Sequence, residues 1–326
     1  MTDAEVEAAP PPFPAPVAAR LTDGAFLLVD KPRGPSSHQV TAWARDLLGV
    51  ERAGHAGTLD PNVSGLLWVG VGPALKLLPL LLEFPKRYVG VIALHGEAPP
   101  REIDRVIAEF TGPVFQTPPV RSAVRRERRI RTIHRFELIE RQKTHLLVDV
   151  VADSGTYVRT LAVDLGEALG VGGHLAELRR VGTGPFREET TITLTALADA
   201  TTRAREGHPE PLLALLHPLP EVWQEFPQLR LKDAAAAAVA HGAGLARGGI
   251  ASVSRPFGKQ SLVALVGRHG ELVAVGRARV ASDEISKVTE GWVVVPERVM
   301  VEATEYPATW RTGASEKTGT ADAGPP

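Results

Sequence analysis

The sequence contains no cysteine. Disulfides, zinc–thiolate centres, iron–sulfur clusters and a thiol nucleophile are thereby excluded, while the redox compartment stays open. No apolar run reaches the roughly 18 residues that a membrane span requires. The N-terminus carries Asp3, Glu5 and Glu7 and lacks an apolar core, so it does not read as a secretory signal. The expectation is a cytoplasmic protein without a membrane partner. A net excess of charge of one sign is also missing. The formal net charge is −1, so any nucleic-acid binding must reside in local patches.

What is present is ordinary for a soluble globular protein: 326 residues, 44% apolar and 23% charged. That length suffices for two domains, each with its own core. Residues 1–20, rich in Pro and Ala without periodicity, read as a flexible arm, and residues 311–326 as a disordered tail. Between them, "GAFLLVDKP" reads as a strand ending at Pro32. "SSHQVTAWARDLLGV" predicts an amphipathic helix capped by Ser36 or Ser37, with Val40, Trp43, Leu47 and Leu48 on one face. "KRYVGVIALHG" and "THLLVDVVADSG" have strand composition, whereas "PREIDRVIAEFTG" and "TYVRTLAVDLGEALG" read as helices. After the Pro-rich stretch 217–227 the composition changes. "DAAAAAVAHGAG" predicts a short helix with Asp233 as N-cap, and "SLVALVG" and "ELVAVGRARV" a hairpin. The boundaries are therefore an arm at 1–20, a first domain at 21–227, a small β-rich domain at 228–310 and the tail.

The segment "GHAGTLDPNVSG", residues 54–65, places one acid, Asp60, before a proline among three glycines. Pro61 biases Asp60 toward extended backbone, and the glycines allow close approach of a ligand. Apart from His55 no histidine or second carboxylate stands at ligand spacing, so no metal site is expected. On these residues alone Asp60 is either a turn-capping acid or a carboxylate acting at a sugar carbon. Glycoside hydrolysis would need a second carboxyl group that the segment does not offer. An RNA-binding scaffold without turnover is a further reading. The stretch "RSAVRRERRIRTIHR", residues 121–135, holds seven arginines against one glutamate, a composition suited to phosphate contact.

"DKPRGPSSHQV", "GHAGTLDPNVSG", "KRYVG" and "SGTYVRTLAVDLG" occur in that order. They resemble the successive motifs of the TruB superfamily of RNA pseudouridine synthases, over roughly residues 25–300. The resemblance implies an α+β fold. Its sheet would be mixed and largely antiparallel with flanking helices, followed by a small C-terminal β-barrel PUA domain completed by part of the N-terminal arm. It implies that Asp60 is the catalytic carboxylate, that Arg159 pairs with it, and that Tyr88 packs on the target base. A bidentate guanidinium would orient Asp60 and keep it ionised. By the same resemblance His55 helps occupy the place of the flipped nucleotide, Leu178 lines the uracil pocket on a helix, and Lys31 and Tyr157 support the site. Arg121, Arg125, Arg126, Arg128 and Arg129 fall in the thumb loop that closes on RNA. No cofactor is implied.

Within that superfamily, "RLKDAAAAAVAHGAGLARGGI" and "VVVPERVMVEATEYPATW" are similar to the two ends of the dyskerin-type PUA domain. This favours the archaeal, guide-directed subgroup. Its partners are an H/ACA guide RNA, a ribosomal or transfer RNA substrate, and the small H/ACA core proteins. The stand-alone enzyme of the tRNA T-loop is the alternative. "NVSG" departs from the family pattern, which has Lys and Thr before the Gly.

Overall fold

The computed structural model describes residues 12–117 and 127–306. The chain divides into two compact units, 1–219 and 220–326.

The first unit opens with α1 (Ala15–Asp23), β1 (Ala25–Lys31), α2 (Ser37–Leu48), β2 (Ala53–Ala56), β3 (Ser64–Val71) and the single turn α3 (Leu78–Leu81). It continues with β4 (Lys86–Leu94), α4 (Pro100–Glu109), β5 (Gly112–Gln116), β6 (Arg129–Gln142), β7 (His145–Ala152) and α5 (Val158–Ala168). β8 (Gly173–Thr183), β9 (Phe186–Arg187), α6 (Leu194–Arg205), α7 (Glu210–Leu215) and β10 (His217–Pro218) complete it. The strands form one sheet in the order β10-β1-β3-β8-β4-β7-β6-β5, with β2 on β3 and β9 on β8. Only the β3–β8 pair is parallel, so the sheet is mixed and largely antiparallel.

Two apolar clusters hold helices to this sheet. In one, Val40, Ala44 and Leu48 of α2 and Leu197 of α6 meet Leu27, Val29, Leu67 and Val69. In the other, Ile103 and Val106 of α4 and Leu161 and Leu165 of α5 meet Ile92, Leu146 and Val148. Each such side chain, when fully buried, contributes about 1.5–3 kcal/mol.

The buried face of α2 runs through Val40, Ala44 and Leu48, the i, i+4 row, whereas Trp43 is 45% exposed. The expected four-residue face thus straddled two helix rows. Ser36 is the N-cap, in a reciprocal capping box with Gln39. The arm is likewise corrected. Residues from Ala15 onward are helical, and Val17 is fully buried in the first cluster beside Phe13 and Leu21. Residues 1–11 lie outside the described residues, as does any part they take in completing the barrel.

The helix α8 (Leu219–Trp223) leads to β11 (Gln228–Leu231), α9 (Asp233–Ala240), β12 (Ile250–Val253), β13 (Leu262–Val266), β14 (Leu272–Ala278) and β15 (Val294–Val299). Hydrogen bonding runs β12-β11-β13-β14-β15, with β13 and β14 as the expected hairpin. Leu229, Val239, Val263, Leu265 and Val273 form the second unit's own core. Lys232, not Asp233, is the N-cap of α9.

Candidate active site

A cleft of about 790 Å³ in the first unit is walled by Asp60, Tyr88, Tyr157, Arg159 and Leu178. These five residues come from the β2–β3 loop, β4, the start of α5 and β8. The sheet brings them together through pairing. Tyr88 stands opposite Arg180, and Gly90 opposite Leu178, in the β4–β8 register. A register shift beside Tyr88 lets Arg180 and Leu178 face the same side as Tyr88. Leu178 is therefore on a strand and not on the expected helix.

Asp60 is held from both sides. Ser37 Oγ accepts from Leu59 N–H at 2.8 Å and donates to Leu59 C=O at 2.9 Å. Lys31 is fully buried, and its Nζ donates to the carbonyls of Pro32 (2.8 Å), Val63 (2.8 Å) and Pro61 (3.3 Å). Burial lowers the Lys31 pKa. Backbone polar groups are thus fastened immediately before and after the acid, the Pro61 carbonyl also by Gly34 N–H at 2.8 Å. The Asp60 carboxylate itself is 54% exposed to the cleft and ion-paired through Oδ2 with Nη2 of Arg159.

The glycines serve this arrangement more than ligand approach. Gly57, at φ +71°, carries the loop over Arg180: a Cβ there would lie 3.0 Å from Nη1. At Gly65, φ +101°, a Cβ would meet the Arg180 carbonyl at 2.2 Å. Only glycine allows the left-handed backbone and this parallel crossing of β3 on β8.

His55 lies on β2, not in a loop, and half-buried beside the cleft. Thr41 Oγ1 donates to the Ser37 carbonyl, so His55 Nδ1 donates to Thr41 at 3.0 Å and Nε2 accepts from Thr58 at 3.3 Å. Burial, then His38 and Arg180, lower its pKa, in keeping with a neutral ring. Arg128 lies over the Phe115 ring at 4.4 Å, and Arg129 opens β6 and pairs with Glu127 at 3.9 Å. Arg121, Arg125 and Arg126 lie outside the described residues. From Arg129 onward the Arg-rich stretch is strand, and Arg135 is spent on Asp149 at 2.8 Å.

Two cleft residues escaped sequence reading. Arg180 is 2% exposed, donates from Nε to Leu66 C=O at 2.7 Å and is hydrogen-bonded to Tyr88. Burial pushes its pKa down. Lys86, also buried, donates to Leu81, Leu82 and Phe84 carbonyls and to Ser154 Oγ. Burial, and then the Arg180 charge, bring its pKa to about 7, while the carbonyls favour the ammonium form. A period-two reading of "HLAELRRVG" would have put Arg180 on the face of Leu178. No signal in the sequence marked Lys86 as buried. Among the described residues no group of three or more His, Asp or Glu side chains is arranged to hold a metal ion.

Lys31→Met tests the loop clamp. It leaves three carbonyls, two of them in the Asp60 loop, without this donor. The expected cost is about 2–4 kcal/mol of stability, with loss of activity in the folded fraction. Thermal unfolding together with an activity assay checks it. Unchanged values for both would refute the clamp.

The cleft joins a fixed carboxylate, a guanidinium and an aromatic ring in the first unit, and the chain carries a second unit of small β-sheet type. A carboxylate held by a guanidinium beside an aromatic ring suits chemistry at a sugar that carries a planar base. Comparison with known proteins gives the particular family. Residues 45–158 match the TruB family pseudouridylate synthase N-terminal domain, and residues 159–223 the tRNA pseudouridylate synthase B C-terminal domain. Residues 227–300 match the PUA domain. A probable tRNA pseudouridine synthase B of Pyrobaculum arsenaticum is 43% identical over 289 residues, 88% of this chain and 87% of the relative. The protein of the same name from Methanopyrus kandleri is 41% identical over 95% of this chain and 93% of its own. Among solved structures, a chain of a Cbf5–Nop10–Gar1 complex is similar with a TM-score of 0.81 and 39% identity, covering 94% of this chain and 93% of that one. A chain of an H/ACA RNP bound to a substrate RNA containing 2′-deoxyuridine gives 0.78 and 38%, covering 94% and 95%. The chain belongs to the TruB family and is an RNA pseudouridine synthase, with a PUA domain at its C-terminal end. No helix among the described residues is long and apolar enough to cross a membrane.

Proposed function

We propose that this enzyme isomerises uridine to pseudouridine at positions chosen by an H/ACA guide RNA, in ribosomal RNA and in some transfer RNA. It would act as the catalytic subunit of a complex with the small core proteins. The likeness over 94% of the chain to a Cbf5–Nop10–Gar1 complex carries this reading. In the reaction the N1–C1′ bond breaks, the uracil turns, and C5 bonds to C1′. C5 loses its proton and N1 gains one, so no co-reactant is consumed. Asp60 is the catalytic carboxylate at the sugar, Arg159 orients it, and Tyr88 packs on the detached base against Leu178. The ring stacks on any uracil face, so it holds the base without selecting a neighbouring sequence. His55, Tyr157 and Lys31 shape the surroundings, and the arginines from 121 to 129 contact phosphates. The names of the curated relatives support the second reading, unguided modification of a tRNA.

Reconstitution separates the two. With guide RNA and core proteins, a ribosomal target fragment is expected to acquire pseudouridine only at the uridine the guide specifies, and only when guide is present. Modification of a tRNA T-loop by the protein alone, with none on the guided target, would establish the second reading instead.

A further inference from the structure

Gln116 is the last residue of β5, the strand that precedes the Arg-rich stretch, and is 3% exposed. Both ends of its amide go to one residue. Oε1 accepts from Tyr157 N–H at 2.9 Å, and Nε2 donates to Tyr157 C=O at 3.1 Å. Tyr157 is the N-cap of α5 and has no side-chain capping bond of its own. Its carbonyl also accepts the first helical bond, from Leu161 N–H at 3.1 Å. From a distant strand, Gln116 thus gives the N-cap N–H of Tyr157 the partner that the reaching-back N3 side chain of a capping box supplies locally, and fixes where α5 begins. Arg159 is two residues further on.

The second leg of the same hairpin is tied to the same segment. Asp153 Oδ2 accepts from Thr132 N–H of β6 at 3.0 Å, Asp153 N–H donates to Thr132 C=O at 2.9 Å, and Oδ1 meets His134 Nε2 at 2.8 Å. Gln116 and Arg129 are themselves cross-strand partners. The base of the hairpin therefore grips residues 153 and 157, which bracket the turn leading into α5. A buried amide used twice on one backbone is a geometric constraint. Its consequence falls on the nearest functional side chain, since Arg159 and Asp60 are both about half exposed.

We propose that Gln116 is a positioning residue for the isomerisation. Through the Tyr157 backbone it sets the start of α5, and so places the Arg159 guanidinium against the Asp60 carboxylate. The base of the Arg-rich hairpin is then part of the catalytic apparatus as well as the approach to the RNA. This rests on the proposed pairing of Arg159 with a catalytic Asp60.

The test is a double-mutant cycle read by single-turnover pseudouridine formation at saturating RNA, with RNA affinity measured separately. Gln116→Ala removes both bonds. Gln116→Met removes them while keeping the volume, so that a folded variant with a cooperative thermal transition is available. The expected result is a rate lowered about 10- to 100-fold, with affinity within about twofold of the parent. In an Arg159→Ala background, Gln116→Met should slow the reaction no further, because the group it positions is gone. A parent-like rate for folded Gln116→Met, while Arg159→Ala is slow, overturns this inference alone. So do losses that multiply in the double variant. A parent-like rate for Arg159→Ala overturns the underlying pairing as well.

Discussion

Asp60→Asn is expected to abolish pseudouridine formation while leaving RNA affinity within about twofold of the parent. The replacement is nearly isosteric, and the loop does not depend on the carboxylate for its shape. Ser37 fastens Leu59, and Lys31 fastens Pro61 and Val63, through backbone groups that the substitution leaves in place. What changes is the chemistry. A carboxamide is a poor nucleophile and a poor base, and it carries no charge to stabilise a developing cation at C1′. The rate should fall at least about a thousandfold, roughly 4 kcal/mol in the barrier. Affinity is carried mainly by phosphate contacts elsewhere and should persist. A single-turnover assay with a filter-binding control decides the matter. A rate within about tenfold of the parent, roughly 1.4 kcal/mol, would remove Asp60 from the catalytic role.

Arg159 should come second in effect. It sits in the first turn of α5, where the positive end of the helix dipole disfavours a cation. The Asp60 carboxylate, with which it is paired, offsets that cost. Arg159→Ala removes the partner and leaves Asp60 free to sample other rotamers. The expected loss is about a hundredfold or more in rate, with a small change in affinity. Arg159→Lys should recover little of it, because a flexible ammonium replaces neither the reach nor the planar fork of the guanidinium. Recovery by Lys to the parental rate at neutral pH would refute the orienting role. Both side chains are about half exposed, so the pair matters for geometry and little for global stability. Unfolding temperatures of the Ala and Lys variants should therefore stay close to the parent's.

Legibility differed from residue to residue for identifiable reasons. Asp60, Tyr88, Tyr157, Arg159 and Leu178 lie in short motifs whose order is visible along the chain, and all five reach one cleft. His55 and Lys31 were in view as well, though their work is local. One ring is engaged by Thr41 and Thr58, and one ammonium by three carbonyls. Arg180 and Lys86 were missed because a charged residue normally reads as surface. The helical reading of "HLAELRR" failed because Leu, Ala, Glu and Arg favour helix intrinsically. The pairing of β8 between β3 and β4 overrode that preference. The helical start at Ala15 was hidden by the prolines, since Pro16 fits the first turn of a helix as readily as it fits coil.

The amino-acid sequence by itself determined the local vocabulary. Short, near-continuous apolar runs rich in β-branched and aromatic residues made β1, β4 and β7, and Ser36 with Gln39 capped α2. Gly57 and Gly65 permitted positive-φ backbone in the loop and at the start of β3, and the absence of cysteine excluded a thiol nucleophile. Tertiary structure alone decided which distant groups meet. The strand order brought β8 beside β4 and set Arg180 under Tyr88. Burial then turned Lys31 and Lys86 from surface cations into donors for backbone carbonyls, and pinned Gln116 to Tyr157 across 41 positions of chain. The physical reason is that a buried polar group must find its partner in space. Which partner is near is fixed by how the sheet is paired, and local sequence does not encode it.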